Sequence, residues 1–236
     1  MKQFVKILPV AALAVAPMAA NADTIFGVFA GGQYWDGNVD GSISAFDPQV
    51  RLGNYDDQSE AFSSYYVAVE HPIPLIPNFK ARWNDMTVDG EGINPESDFS
   101  HVDYILYYEI FDNDIISIDL GVNAKRFDGN SSYIVADAAV TPVEFSGTVP
   151  MAYAATKIGL PFTSWWINAE ASAVSFDDSD IRDISASVEY QFLDNAAIDA
   201  SVSLGYRDME VKLDDIDDTY SDIRFSGPYL SVDVHF

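Results

Sequence analysis

The chain has 236 residues and is strongly acidic, with 37 Asp and Glu residues against 12 Lys and Arg residues and a formal net charge of −25. This charge argues against nucleic acid or an anionic surface as a direct partner. The sequence contains no cysteine, which excludes disulfides, thiol catalysis and cysteine-ligated metal sites within it.

Residues 1–22 predict a cleaved secretory signal peptide. Lys2 and Lys6 precede an apolar run, and Ala-Asn-Ala at residues 20–22 supplies the small residues of a cleavage site. We expect residues 23–236 to form a single mature domain. No later run approaches the roughly 18 apolar residues of a membrane-spanning helix, so an exported chain of this kind would be periplasmic, secreted or an outer-membrane barrel.

Most of the mature sequence alternates between apolar and polar residues with a period of two, the pattern of a β-strand with one face of each kind. Residues 183–192 show it most plainly, with polar side chains at odd positions and apolar ones at even positions. The pattern predicts ten strands, at residues 24–35, 64–70, 79–88, 101–110, 116–125, 151–160, 165–176, 182–192, 196–209 and 223–236.

The connections between these segments are mostly long and short in turn. Four are long and rich in Asp, Gly, Asn and Ser, whereas the others are short, and residues 71–78 contain three prolines that predict a rigid turn. This alternation and an even strand number are typical of outer-membrane barrels, which keep short turns and both termini in the periplasm. We predict a closed antiparallel up-and-down transmembrane β-barrel of about ten strands, with eight and twelve as alternatives. The long connections are residues 36–59, 89–98, 129–147 and 211–222.

Aromatic residues concentrate near the predicted strand ends, where membrane barrels place girdles that meet the lipid headgroups. A soluble β-sandwich would instead bury its aromatics near the middle of its strands, so the distribution favours a membrane barrel. The girdle candidates are Tyr34, Trp35, Trp83, Tyr107, Tyr108, Trp165, Trp166, Tyr190, Phe192, Tyr206, Tyr229 and Phe236.

Five segments carry a resemblance to a known family: FGVFAGGQYWDG, VEHPIPLIPN, SHVDYILYYEIFDN, DLGVNAKRFDG and FSGPYLSVDVHF. As a set they resemble a family of Gram-negative outer-membrane β-barrel proteins named for a Gly-Gly motif in the first strand, here Gly31-Gly32. The resemblance spans nearly the whole mature chain. It implies insertion by the barrel-assembly machinery, which would read Tyr229 and the terminal Phe236 of the last strand as its signal. No activity is established for the family, so no functional residue is carried over.

The polar face of the strands predicts a charged barrel lumen with more acids than bases. Side chains in small barrels fill the interior, so one interpretation is an ion-paired plug that makes the barrel rigid. The alternative is a narrow pore that prefers cations, because a net negative lining favours them. The predicted lumen-facing charges are Asp103, Glu109, Asp119, Lys125, Lys157, Glu170, Asp183, Glu189, Asp199, Arg207 and Asp233.

The residues that could support catalysis or metal binding do not form a defined motif. The histidines are His71, His101 and His235, and adjacent residues of a strand point to opposite faces, so Ser100 and His101 cannot form a dyad in a regular strand. The Asp runs at 177–180 and 214–218 lack the spacing of a defined calcium loop. We therefore assign no catalytic residue, cofactor or metal ligand, although divalent ions that bridge these loops to lipopolysaccharide phosphates stay an alternative.

These patterns predict an integral outer-membrane barrel with a structural or surface-interaction role. A narrow cation-preferring channel is the alternative, and a surface-acting outer-membrane enzyme ranks third. The expected partners are outer-membrane lipid and lipopolysaccharide, with the barrel-assembly machinery during insertion, and the protein is expected to be a monomer with both termini in the periplasm.

Overall fold

The computed structural model describes residues 26–45, 50–89, 96–131, 134–135, 138–139, 143–176, 178–195, 198–216 and 219–236. The predicted signal peptide therefore lies outside the described residues. No helix within these ranges is long and apolar enough to cross a membrane. The strands are β1 (Gly27–Ala45), β2 (Val50–Glu70), β3 (Asn78–Asp85), β4 (Thr87–Val88), β5 (Ser97–Asp98), β6 (His101–Asp112), β7 (Ile116–Ser131), β8 (Ile134–Val135), β9 (Ala138–Ala139), β10 (Val143–Gly159), β11 (Trp165–Phe176), β12 (Ser179–Asn195), β13 (Ile198–Ile216) and β14 (Thr219–His235).

Ten of these strands close into one antiparallel barrel, in the order β1, β2, β3, β6, β7, β10, β11, β12, β13 and β14. The ring closes because β14 pairs with β1, from Phe29 opposite His235 to Ala45 opposite Thr219. Phe236 completes the pairing, since its N–H donates to Val28 O at 2.9 Å and Val28 N–H donates to Phe236 O at 3.2 Å. The prediction of a closed antiparallel barrel of about ten strands is confirmed, and the closure joins the first strand to the last.

The two ends of the barrel differ. Both described ends of the chain lie at what we call the terminal end, together with the turns at residues 71–77, 113–115 and 160–164 and the turn between β12 and β13. We call the opposite end the distal end. There β4 and β5 extend the sheet beside β7, and β8 pairs with β9 in a separate hairpin.

The lower part of the barrel wall, towards the terminal end, carries an apolar outer belt. Its side chains point away from the lumen and are 40–65% exposed. Large apolar side chains that are exposed all round a barrel indicate a surface in contact with lipid. Because the barrel is closed, no strand edge in this belt is left unpaired. Members of the belt are Val28, Tyr34, Val67, Phe79, Leu106, Leu120, Val122, Ile167, Val188, Leu204, Leu230 and Val232.

Beyond the belt the same strands continue, but the two faces exchange their chemistry. In β1 the exposed outward positions change from Val28 and Tyr34 to Asp36 and Asp40, while the inward side of the same strand buries Val39. A strand keeps one face outward along its length, so the exchange marks the transition from lipid to water. The distal part of the barrel is therefore apolar inside and polar outside, like a water-soluble sheet.

This distal part corrects the predicted long loops. The loops predicted at 36–59 and 211–222 are wrong over most of their length, because β1 runs to Ala45, β2 starts at Val50 and only residues 217–218 separate β13 from β14. The loop predicted at 129–147 is shortened in the same way by β7 and β10. Asp36, Asn38 and Asp40, which suggested a loop, occupy the outer face of β1 in water, whereas Gly37 of the same stretch faces the interior beside Phe62.

The aromatic girdle is correct only in part. Trp165 packs on Tyr190 at 4.8 Å between ring centroids on the outer wall. Trp35 and Tyr107, in contrast, are only 2% and 4% exposed and point inward. Trp166 also points inward, where the ammonium group of Lys157 lies over its ring. Whether an aromatic side chain near a strand end faces the lipid or the lumen depends on its odd or even position along the strand. The girdle prediction used only nearness to a strand end and did not apply this alternation. Tyr229 faces inward by the same parity.

Position 31 favours glycine because the side chains of Asp233 and Tyr66 approach its backbone closely inside the barrel. A Cβ atom there would lie 2.4 Å from Oδ1 of Asp233 and 2.5 Å from Cε1 of Tyr66, whereas at Gly32, on the outer wall, the nearest atom would be 3.9 Å away. The Tyr66 hydroxyl donates to Asp233 Oδ1 at 2.9 Å across this space. The first glycine of the Gly-Gly pair thus makes room for an interior hydrogen bond.

Candidate functional site

The candidate functional site is the barrel interior, which has three layers between the terminal and distal ends. The first is a polar chamber of about 340 Å³ at the terminal end. The second is a buried layer of ion pairs, and the third is an apolar cluster that fills the distal part.

One wall of the chamber is built around Glu170 of β11. Lys80 Nζ lies 2.6 Å from Glu170 Oε2, and the guanidinium of Arg82 binds the other carboxylate oxygen. Lys80 also lies 4.8 Å above the ring of Tyr66, which adds a cation–π contact. Two cations therefore share a single carboxylate, and this wall has a local excess of positive charge.

A second ion pair stands on β10 and β12. Lys157 Nζ lies 2.8 Å from Glu189 Oε1, and Asn168 Nδ2 donates to Glu189 Oε2 at 2.7 Å. Lys157 is 5.0 Å from the ring of Trp166. The carboxylate of Glu189 is thus held at both oxygens, which makes it a structural member of the wall.

The chamber also contains carboxylates that have no basic side chain within 4.0 Å among the described residues. Glu70 accepts from the hydroxyl of Tyr107 at 2.7 Å, and Asp233 accepts from Tyr66 and Ser231 at 2.9 Å each. Asp119 and Glu109, paired across β6 and β7, accept from Ser117 at 3.4 Å and Asn78 at 3.3 Å. The chamber therefore carries more negative than positive charge.

The second layer is a network of four buried charges from β6, β7, β12 and β13. Lys125 Nζ lies 2.9 Å from Asp103 Oδ1 and 3.0 Å from Asp183 Oδ2. Arg207 binds Asp183 through two bonds, from Nε at 2.9 Å and from Nη2 at 2.7 Å. All four residues are at most 8% exposed, so each charge depends on its partners for compensation.

Amide side chains complete this network. Asn84 accepts from Arg207 Nη1 at 3.0 Å and donates to Asp103 Oδ2 at 3.0 Å, and Asn123 donates to Asp103 Oδ1 at 2.8 Å. Asn123 Nδ2 also donates to Ser172 Oγ at 3.1 Å. The layer joins strands on opposite sides of the barrel and crosses the lumen.

His101 belongs to the same layer as a neutral acceptor. An ammonium group can only donate, so the contact of 2.8 Å between Lys125 Nζ and His101 Nε2 leaves Nε2 without a hydrogen. His101 Nδ1 then donates to Phe99 O at 3.0 Å. Neither ring nitrogen reaches Ser100, whose hydroxyl accepts from Met86 N–H at 3.1 Å.

The described residues contain one group with the spacing of metal ligands, formed by His101, Asp103 and Asp183, whose ligand atoms lie within 4.8 Å of one another. The Nζ atom of Lys125 contacts all three at 2.8–3.0 Å. The ammonium group thus takes the position that a metal ion would need. Residues 177, 217 and 218 of the two Asp runs lie outside the described residues.

The third layer is an apolar cluster inside the distal part of the barrel. Arg207 forms its boundary with the ion layer, because the guanidinium lies 4.9 Å from the ring of Trp35, whose Nε1 donates to Gly227 O at 3.1 Å. Phe225 contacts Phe62 and Phe99 edge to face. The buried members are Trp35, Val39, Ile43, Tyr55, Phe62, Met86, Val88, Phe99, Phe127, Met151, Ile181, Met209, Val211, Ile223 and Phe225.

Tyr55 is the polar exception in this cluster, far from the lipid-facing belt. Its hydroxyl donates to Ser97 Oγ at 2.7 Å, and burial raises the pKa of Tyr55. The phenol therefore stays neutral, and its hydrogen bond ties β2 to the short strand β5 at the distal end.

All eleven charges predicted to face the lumen lie on the inward side of their strands. Seven belong to the chamber or its rim and Asp103, Lys125, Asp183 and Arg207 form the ion layer. The sequence prediction missed Glu70, Lys80 and Arg82. Lys80 and Arg82 do alternate with outward-facing Phe79 and Ala81, but the weak apolar character of β3 concealed the pattern.

The remaining histidines lie at the terminal end. His71 Nδ1 accepts from Ile73 N–H at 3.3 Å within the turn after β2. His235 stacks on Phe29 with 4.0 Å between ring centroids and contacts Asp199 at 3.3 Å at the chamber rim. The predicted assembly residue Phe236 is 60% exposed, whereas Tyr229 lies over Gly205, where a Cβ atom would come within 2.5 Å of its ring.

The closed antiparallel barrel, its apolar outer belt and its polar lower interior are together those of a bacterial outer-membrane β-barrel protein. No model of a known protein family matches the sequence. No curated protein matches it either.

Solved structures with a similar fold include several outer-membrane barrels, all at low identity. A FadL homologue from Pseudomonas aeruginosa is 9% identical with a TM-score of 0.39, covering 89% of this chain and 90% of that one. The outer membrane protease OmpT from Escherichia coli is 7% identical with a TM-score of 0.45, covering 89% and 96%. The β domain of the Bordetella autotransporter BrkA is 9% identical with a TM-score of 0.36, covering 90% and 99%. Likeness at this level carries no information about function.

Proposed function

We propose that the protein is a closed, non-conducting outer-membrane barrel with a structural or surface-interaction role. The observation that carries this proposal is the closure of the lumen by two successive layers. Above the chamber, the buried charges join opposite walls, and the apolar cluster beyond them excludes water. A hydrated ion would have to separate buried ion pairs and then cross an apolar filling, and both steps are unfavourable.

In this proposal the terminal end faces the periplasm and the distal part projects outside the cell. The short turns at the terminal end support this orientation, because periplasmic turns of such barrels are short. From Tyr34 to Ala45, β1 continues beyond the belt for a strand length of about 35 Å at about 3.3 Å per residue. Such a projection carries a surface away from the bilayer, where it can meet other molecules.

The outer face of the projection supports a role in contacts with the charged saccharide layer of the outer leaflet. Arg182 pairs with Glu210 at 2.6 Å and lies 3.6 Å from Asp208, which also binds Arg224. These pairs are partly exposed. Phosphate groups could therefore replace the carboxylates as partners of the arginines, and divalent ions could bridge the freed carboxylates to phosphates. We propose lipopolysaccharide as the lipid partner on this side. Membership of the Gly-Gly family, insertion by the barrel-assembly machinery and a monomeric state belong to the same proposal.

The test is conductance of the refolded protein in planar bilayers. We expect no steady single-channel steps from the intact protein, and we expect steps only when both layers are opened, by Trp35→Ala and Phe225→Ala in the apolar cluster together with Lys125→Met and Asp103→Asn in the ion layer. Folding of each sample is checked independently by heat-modifiable mobility in gels. Steady steps from the intact, folded protein would contradict the closed interpretation.

A narrow cation-preferring passage is the second candidate, favoured by the excess of carboxylates in the chamber. If the intact protein conducts, replacement of Glu109 by Gln and Asp119 by Asn should weaken its preference for cations. Within the part of the chain that the structure describes, both residues lack a basic partner within 4.0 Å, so these changes unpair no cation there. Unchanged selectivity would argue against this lining as the filter.

A further inference from the structure

Two turns at the terminal end share an unusual sequence and backbone. Residues 73–76 read Ile-Pro-Leu-Ile and residues 160–163 read Leu-Pro-Phe-Thr. The residue after each proline is left-handed, with φ of 71° at Leu75 and 64° at Phe162. In the second turn Thr163 N–H donates to Leu160 O at 3.2 Å. Proline followed by a residue of positive φ is the order of a type II turn.

Large apolar residues are poor choices for this backbone position. A type II turn favours Gly or Asn there, because a side chain with a Cβ atom is strained at positive φ. The side chains are also poorly placed for packing, since Leu75 is 85% exposed and Phe162 is fully exposed. Among the described non-glycine residues the only other positive φ is at Asp57, a residue type that tolerates it. Neither the backbone nor the barrel core accounts for Leu75 and Phe162.

The position of the first tip points to lipid. The hydroxyl of Tyr108, a side chain on the outer wall that is 45% exposed, donates to Leu75 O at 2.9 Å. The turn at 73–76 therefore contacts the outer wall at β6 and continues the exposed apolar surface of the belt. Tyrosine hydroxyls of membrane barrels commonly lie at the headgroup level, so a bilayer around the belt would place the Leu75 side chain at its edge.

The second tip is joined to the same side of the barrel. The turn between β6 and β7 lies between the two tips and is bonded to the end of β10, because Gly159 N–H donates to Ile115 O at 2.7 Å. Phe162 also precedes Trp165, which is 45% exposed on the outer wall. We call the exposed side chains of these three neighbouring turns the apolar turn cluster, made of Ile73, Leu75, Ile76, Phe111, Ile115, Leu160 and Phe162.

We infer that the apolar turn cluster is a lipid-binding surface whose Leu75 and Phe162 tips insert among the phospholipid acyl chains of the leaflet at the terminal end. The inference rests on the proposed function, because it requires the belt to lie in a bilayer. Continuity with the belt favours lipid over a protein partner, and the two Pro-containing tips carry no charge. Asp112 and Asp114 of the intervening turn limit insertion to the flanking tips, and the next turn round the ring after Phe162, between β12 and β13, carries exposed Asp194 and Asn195 instead.

Single-cysteine labelling tests this inference, because the native sequence has no cysteine. The variants Leu75→Cys and Phe162→Cys carry an environment-sensitive fluorophore and are refolded into phosphatidylethanolamine and phosphatidylglycerol vesicles that contain brominated acyl chains. We expect strong quenching by the brominated lipid and weak quenching by aqueous iodide at both positions. The controls are Leu204→Cys in the belt, which should be quenched by lipid, and Asp194→Cys, which should be quenched by iodide.

The control labels distinguish a failure of this inference from a failure of the proposed function. If the Leu204 label escapes lipid quenching, the barrel is not in the bilayer and the proposed function fails. If Leu204 is quenched by lipid but labels at 75 and 162 behave like the one at 194, only the present inference is overturned. Shielding of both tips in native outer membranes but not in pure lipid vesicles would mean that a protein covers them, and would also overturn it.

A second pair of variants distinguishes a lipid role from a structural one. Leu75→Asn and Phe162→Asn place a residue that suits the left-handed backbone in each tip. We expect the variants to resist urea unfolding in detergent micelles as well as the native protein does, yet to associate with vesicles several-fold more slowly. Equal association rates for variant and native protein would count against the inference.

Discussion

Removal of Lys125 should be among the most damaging single changes to this barrel. The Lys125 side chain is fully buried and binds Asp103 at 2.9 Å, Asp183 at 3.0 Å and His101 at 2.8 Å. In the variant Lys125→Met, Asp183 keeps its two bonds to Arg207. Asp103 keeps only amide donors, from Asn84 and Asn123. One buried carboxylate thus loses its cation.

Loss of one partner from a buried ion pair costs about 3–5 kcal/mol. Because two amides remain on Asp103 and Arg207 still neutralises Asp183, we expect the lower end, about 3 kcal/mol, or roughly two orders of magnitude in the unfolding equilibrium at about 1.4 kcal/mol per factor of ten. The assay is urea unfolding of the vesicle-inserted protein, followed by heat-modifiable mobility. The double variant Lys125→Met with Asp103→Asn should recover most of the loss, since it removes the uncompensated charge.

The matched control is Arg182→Met on the outer face. Arg182 pairs with Glu210 at 2.6 Å but is 40% exposed, and an exposed pair contributes about 0–1 kcal/mol. If Lys125→Met and Arg182→Met lower the free energy of unfolding equally, the ion layer does not hold the barrel together, and the physical reasoning for closure is refuted.

Three further predictions follow from the interior and the last strand. Gly31→Ala should slow or prevent folding because its Cβ atom meets Asp233 and Tyr66, whereas Gly32→Ala should fold normally; equal refolding yields would contradict the close approach. Trp35→Ala should lower the free energy of unfolding by about 3–5 kcal/mol, as expected for a buried aromatic, and a loss below about 1 kcal/mol would show that the distal cluster is loosely packed. Deletion of Phe236 should leave export intact but reduce the heat-modifiable fraction in the outer membrane, and normal assembly would show that the terminal residue is dispensable.

The membrane part of the fold was predictable because its alternation obeys one rule, apolar outside and polar inside. That rule located nearly all the strands and placed Asp103, Lys125 and Arg207 on the inward side. It failed in the distal part, where water replaces lipid outside and the rule reverses. Asp36 and Asp40 then suggested a loop although they lie on a strand.

The candidate site was predictable in composition but not in arrangement. Alternation reveals which side chains face inward, yet it does not say which charges meet, because Lys80 and Glu170 lie 90 residues apart and come together only when the barrel closes. The three layers depend on the relative height of strands across the barrel, which is set by register. Register between distant strands leaves no simple signal in a single sequence, so the closure of the lumen required the structure.

The pairing of β1 with β14 has a consequence for how the protein is made. Trp35 and Gly227, bonded to each other, are 192 positions apart, so the seam that closes the ring joins the earliest and the latest parts of the chain. Contacts of such separation form slowly because a long loop must first be closed. Until the last strand arrives, the growing sheet has two open edges and its distal apolar face is uncovered, so the unfinished protein needs protection from aggregation until its final residues are in place.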